Sequence, residues 1–216
     1  ASKYFKYKLK ALFFVGLSWI FLLSAFWPYS IDFILMLTTG TALDKGTYWF
    51  LVFLFYPLFI VLWMFGFTEL LYHSKRKILR IIFIIQAVVG EAFLIIAYFT
   101  DSTLIGSGET PSIITSIYAM VLIIIFLITG LLLVRNGLKS DNKEIRLKAI
   151  FLLVSFILFG VTTSVALGEE TELSRIIIIS ILVITAFCFY IGFILPEFIK
   201  NRLLKDYSEK EMELKV

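Results

Sequence analysis

The stretch KRKILRIIFIIQAVVGEAFLIIAYF, residues 75–99, decides the fold. Three cations open it, Arg80 follows, and residues 81–99 then carry one charged side chain, Glu91. A soluble amphipathic helix would show a polar stripe along its whole length. This stretch has none, and about 20 apolar residues suffice to cross roughly 30 Å of hydrocarbon. It reads as a membrane span, residues 78–99, with a basic flank. Five more stretches share the pattern, at residues 9–27, 48–72, 112–134, 149–167 and 176–199. The expected architecture is an all-α membrane protein, a bundle of six transmembrane helices. Together the spans form one unit over residues 1–199, followed by a basic, amphipathic tail over 200–216.

The basic residues orient the spans. Lys3, Lys6, Lys8 and Lys10 precede the first, and Lys75, Arg76, Lys77 and Arg80 separate the second from the third. Arg135, Lys139, Lys143, Arg146 and Lys148 separate the fourth from the fifth, and Lys200, Arg202, Lys205, Lys210 and Lys215 follow the sixth. The other connections hold only Lys45 and Arg175 of the 20 lysines and arginines. The positive-inside rule therefore places both termini in the cytoplasm, in a multi-pass protein of the cell membrane. A basic inner face attracts anionic lipid headgroups, at about 1 kcal/mol per well-placed cation. Nucleic-acid binding is disfavoured, because these cations flank spans and form no patch interleaved with aromatics. Trp27, Tyr29, Tyr48 and Trp49 make an outer aromatic belt, and Tyr4, Tyr7 and Tyr72 an inner one.

Residues 31–43 are apolar but too short for a span. Counting them as one would also put the N-terminal lysines outside. They are expected to form a short interfacial or re-entrant segment on the outer face. The basic start of the first span raises the question of a signal peptide. Ser24-Ala25-Phe26 is a poor cleavage site and Trp27-Pro28 follows, so a retained anchor is expected. Pro57 and Gly66 can bend the second span and Pro196 the end of the sixth.

Glu91 is the leading site residue, because an acid amid apolar residues must face a bundle interior, pair, or stay protonated. Helical geometry puts Ala87, Glu91 and Tyr98 on one face, with Gln86, Gly90 and Ala97 on an adjacent stripe. Small residues there admit a neighbouring helix. Its hydroxyls would come from Ser18, Ser180 and Thr185 at similar depth, or from Thr162, Thr163 and Ser164 nearer the outside. Tyr98, Thr162, Thr163 and Ser164 together could line an outer pocket. At the cytoplasmic boundary, Glu69 is expected to snorkel and pair with Arg76, Lys77 and Arg80. His73, the single histidine, is expected to be a solvated boundary residue.

One histidine and one cysteine, Cys188, exclude most metal and haem sites and any internal disulfide. Ser107, between Gly106 and Gly108, has no base on its side of the membrane. No catalytic residue, metal or cofactor is expected. The expected function is a sensory or signal-transducing membrane module, its tail transmitting to a protein partner. A small proton- or cation-coupled transporter using Glu91, or an accessory subunit of a larger membrane complex, are the alternatives. At Tyr190-Ile191-Gly192-Phe193-Ile194-Leu195-Pro196-Glu197-Phe198-Ile199-Lys200 the chain resembles the end of multi-span sensor regions that precede histidine kinases. There a last apolar helix ends in proline and a basic amphipathic linker follows. That resemblance implies a separate input module, since no kinase motif follows.

Overall fold

A computed structural model describes residues 10–72, 74–106, 108, 110–166 and 172–203, without the side chains of 164–166 and 172–175. The described chain is helical, and its one extended pairing is an isolated bridge between Gly106 and Pro111. The helices are α1 (Lys10–Leu23), α2 (Trp27–Thr39), α3 (Lys45–Phe53), α4 (Tyr56–Leu70), α5 (Arg76–Thr100), α6 (Ile113–Leu138), α7 (Lys143–Ala166) and α8 (Glu172–Ile194). Six helical stretches are long and apolar enough to cross a membrane: Lys10–Thr39, Lys45–Leu70, Arg76–Thr100, Ile113–Leu138, Lys143–Thr163 and Ile176–Ile194. The protein is a multi-pass, all-α membrane protein.

Prolines set the internal breaks. A proline removes one helical hydrogen bond and its ring clashes with the carbonyl four residues back. For Pro57 that residue is Phe53, and α3 ends there before α4 restarts at Tyr56. For Pro28 it is Ser24, where a 3-10 turn, Ser24–Phe26, joins α1 to α2. Residues 31–43, expected to be a separate outer segment, instead fall largely in α2, which continues the first span through that turn. Only Pro28 is buried in α2, and Phe33, Ile34, Met36 and Leu37 are exposed. The helix stops at Gly40, whose φ of 70° is the left-handed cap that glycine supplies cheaply.

The chain divides into two compact units, Ala1–Phe126 and Leu127–Val216. In the first, α4 lies between α1 and α5. Close approach of α1 to α4 depends on Gly66, where a Cβ would meet the Val15 side chain at 2.7 Å. Trp63 touches Phe126 edge-on at 4.6 Å, and both are fully buried with Phe59 and Ile60. Toward the α2–α3 end, Tyr29, Tyr48, Trp49 and Phe53 form a chain of ring contacts. Gly106 lets its loop lie on Trp49, whose Nε1 donates to the Gly108 carbonyl at 3.1 Å.

Asp44 caps α3 by accepting the Thr47 amide at 2.9 Å. The Thr47 side chain first, and then its amide, hold the Asp44 carboxyl below the usual value. Its folded pKa is depressed, so its contribution is present above the unfolded value of about 3.9 and is lost as pH falls through the lower folded one. Asp44→Ala should cost about 1 kcal/mol near neutral pH and less in strong acid, where the charged part of the cap is gone, read by unfolding titrations at both pH values.

In the second unit α7 packs along α8, and glycines again mark the tightest points. A Cβ on Gly192 would meet Leu152, one on Gly137 would meet Ala149, and one on Gly130 would enter the Phe156 ring. The sixth span ends at Ile194 rather than near residue 199. Pro196 disfavours the helical conformation at Leu195, which turns to φ 43° while its side chain stays 3% exposed. Leucine in that region costs about 1–2 kcal/mol. Emptying a buried leucine site costs about 2–5 kcal/mol. The second outweighs the first, so Leu195→Gly is expected to destabilise the second unit despite relieving the backbone, as a lowered melting temperature in detergent.

Candidate functional site

The middle of α5 carries the polar residues that matter most. Its buried face is Ala87, Gly90, Leu94 and Ala97, three of them small, so the helix can be approached closely there. Tyr118 of α6 uses the opening. Its hydroxyl and the Pro57 ring occupy the space where a Gly90 side chain would begin. Gln86, one turn below Gly90, donates from Nε2 to the Tyr118 hydroxyl at 2.5 Å. Glu91 follows Gly90 directly in the same helix.

The cluster is short of donors. The Oε1 atoms of Gln86 and Glu91 are both buried and accept no hydrogen bond among the described residues. A buried acceptor left without a donor costs about 1–3 kcal/mol, so two at one place favour the arrival of a proton, a cation or a donor ligand. Tyr118 was not anticipated from the sequence. A tyrosine in an apolar run carries no mark of which helix it will meet.

The other expected site residues make bonds of their own. The Tyr98 hydroxyl pairs with Thr47 at 3.0 Å, and its ring stacks on Phe50 at 4.3 Å, so Tyr98 ties α5 to α3. Ser18 donates to its own helix at Val15. In the second unit Thr162, Thr163, Ser180 and Thr185 do the same, toward Leu158, Phe159, Ile176 and Ile181. Such bonds satisfy a hydroxyl in an apolar helix without any neighbour. The Ser164 side chain, His73 and Ser107 lie outside the described residues.

A second polar group closes the basic end of α4 and α5. Glu69 is bonded by Arg80 at 2.7 Å and more loosely by Arg76 at 3.4 Å. Arg80 also donates to the Phe65 carbonyl and to Thr68 Oγ1, each at 3.3 Å. Its guanidinium lies over the Phe65 ring, 4.7 Å from the centroid, and 5.9 Å from that of Phe14 on α1. Arg80 thereby fastens α1, α4 and α5 at one point. With its partners so complete, this group is a structural clamp. Among the described residues no three His, Cys, Asp or Glu side chains gather to hold a metal ion.

No protein-family model, curated protein or solved structure matches the chain, so the geometry alone carries the functional reading.

Proposed function

We propose that this protein is a sensory or signal-transducing module of the cell membrane, without catalytic activity, whose sensing group is Glu91. Its termini lie in the cytoplasm, where the basic segments meet anionic headgroups and the tail meets a protein partner. One observation supports the reading: among the described residues the Oε1 atoms of Glu91 and Gln86 are buried without donors, and Gln86 is bonded to the Tyr118 hydroxyl. A proton or small cation arriving there changes the charge beside Tyr118, and with it the contact between α5 and α6. Transport fits less well. Between Arg80 and Gln86, α5 carries only Ile81, Ile82, Phe83, Ile84 and Ile85, and α4 is apolar from Leu58 to Phe67. Neither helix offers an ion a stepwise path to the basic end.

The test is infrared difference spectroscopy of the carboxyl band in reconstituted protein, with Glu91→Gln as the control. Sensing predicts a band that titrates between about pH 5 and 8, is absent in Glu91→Gln, and moves together with a tyrosine ring mode. A carboxyl that stays protonated throughout, with Glu91→Gln folding normally, would reduce Glu91 to a link between helices.

A further inference from the structure

The exit of the chain from its sixth span is held by a charge contact that the sensing reading does not use. After the corner at Leu195 and Pro196, residues 197–203 are helical again, with the Ile199 and Lys200 amides donating to the Pro196 carbonyl. Lys200 then reaches the first turn of α7, where its Nζ lies 2.5 Å from Glu144 Oε2. The other oxygen of the same carboxylate, Oε1, is 2.9 Å from Lys148 Nζ. Glu144 thus sits between two lysines, one from its own helix and one from the outgoing segment.

We propose that Glu144 is an electrostatic latch that fixes the direction in which the chain leaves the membrane, and that releasing Lys200 lets this segment swing about Leu195. Three observations support it. The corner places a leucine at positive φ, which breaks the helix and sets the segment at an angle to α8. Pro196 prevents α8 from continuing straight through, so the segment has a joint there rather than a rigid extension. Finally, the latch is weak enough to open, since the Lys200 and Glu144 side chains are 42% and 30% exposed and salt screens such pairs. The latch is independent of Glu91: Glu144, Lys200 and the corner all belong to the second unit, and their failure leaves the Glu91 reading untouched.

The test uses the full chain in lipid nanodiscs, with Cys188 replaced by serine and spin labels at positions 141 and 202. Electron–electron resonance then reads the distance between the α6–α7 turn and the outgoing segment. A latch predicts a narrow distribution at low salt that broadens near 1 M salt, where the Debye length falls to about 3 Å. Glu144→Gln should be broad at both, with the released-to-latched ratio raised roughly two- to fivefold, the range open to an exposed pair. A second label pair at 136 and 145, across the α6–α7 turn, should not change, which separates release from unfolding. A Glu144→Gln distribution as narrow as that of the parent at low salt would overturn the latch. So would broadening that appears at both label pairs together.

Discussion

Replacing Arg80 by alanine should destabilise the first unit by about 3 kcal/mol, well beyond the 0–1 kcal/mol expected of an exposed ion pair. Burial decides between these scales. The Arg80 side chain is 22% exposed and that of Glu69 17%, so removing the guanidinium takes a 2.7 Å charge contact from a mostly buried carboxylate. It also takes a donor from the Phe65 carbonyl and from Thr68, and a cation from the face of Phe65. Arg76, still 3.4 Å from Glu69, offsets part of the loss and keeps the figure toward the low end of the 3–5 kcal/mol typical of a broken buried pair. Arg80→Lys should fall between, because an ammonium keeps the charge but cannot reach three acceptors as a planar fork does. Equilibrium unfolding in mixed micelles measures both. A loss below about 1 kcal/mol for Arg80→Ala would show that the other partners of Glu69, Arg76 among them, suffice to hold it.

Gly130→Leu is expected to have a comparable effect on the second unit. In an open helix, exchanging glycine for a larger residue gains up to about 1 kcal/mol of helix propensity. At Gly130 there is no room to collect it. The new Cβ would lie inside van der Waals contact of three Phe156 ring atoms. Phe156 is 2% exposed and stands edge-on to Phe189 at 4.8 Å, so it cannot move without displacing that ring too. Overpacking of this kind costs about 1–3 kcal/mol for a methyl group and more for a leucine. Gly16 provides the opposite sign, since nothing lies within 4 Å of a Cβ built there. Gly16→Ala should be neutral or stabilising by up to about 1 kcal/mol. Melting temperatures of the two variants in one detergent test the contrast.

The sequence reading and the structure agree where the physics is local. Each span is a run of apolar residues that must satisfy its own backbone, so composition alone locates it. The Glu69–Arg80 contact was legible as well, because a long acid near a span end has only the adjacent basic loop to meet. The helical repeat likewise placed Gln86, Gly90 and Glu91 on neighbouring stripes. What the repeat cannot give is the identity of the opposing helix. Tyr118 is 32 residues from Gln86 and lies in an apolar run, IYAMVLIII at residues 117–125, that would serve equally well facing lipid. Expecting Ser18 to answer Glu91 overlooked how readily a hydroxyl in an apolar helix bonds its own carbonyls, as Ser18 does at Val15. The left-handed Leu195 was hidden for a different reason. Proline announces a corner, but which way the preceding residue turns depends on where its side chain can be buried.

The run from Lys10 to Thr39 has a consequence for the membrane itself. At 1.5 Å per residue its 30 residues span about 45 Å, against roughly 30 Å of hydrocarbon. Only part of it can stand upright in the bilayer. The excess must be absorbed by inclination or by bending at the Ser24–Phe26 turn, where the regular hydrogen-bond ladder is already interrupted. The turn is then the place where the run would adjust to bilayers of different thickness, longer acyl chains accommodating more of it upright.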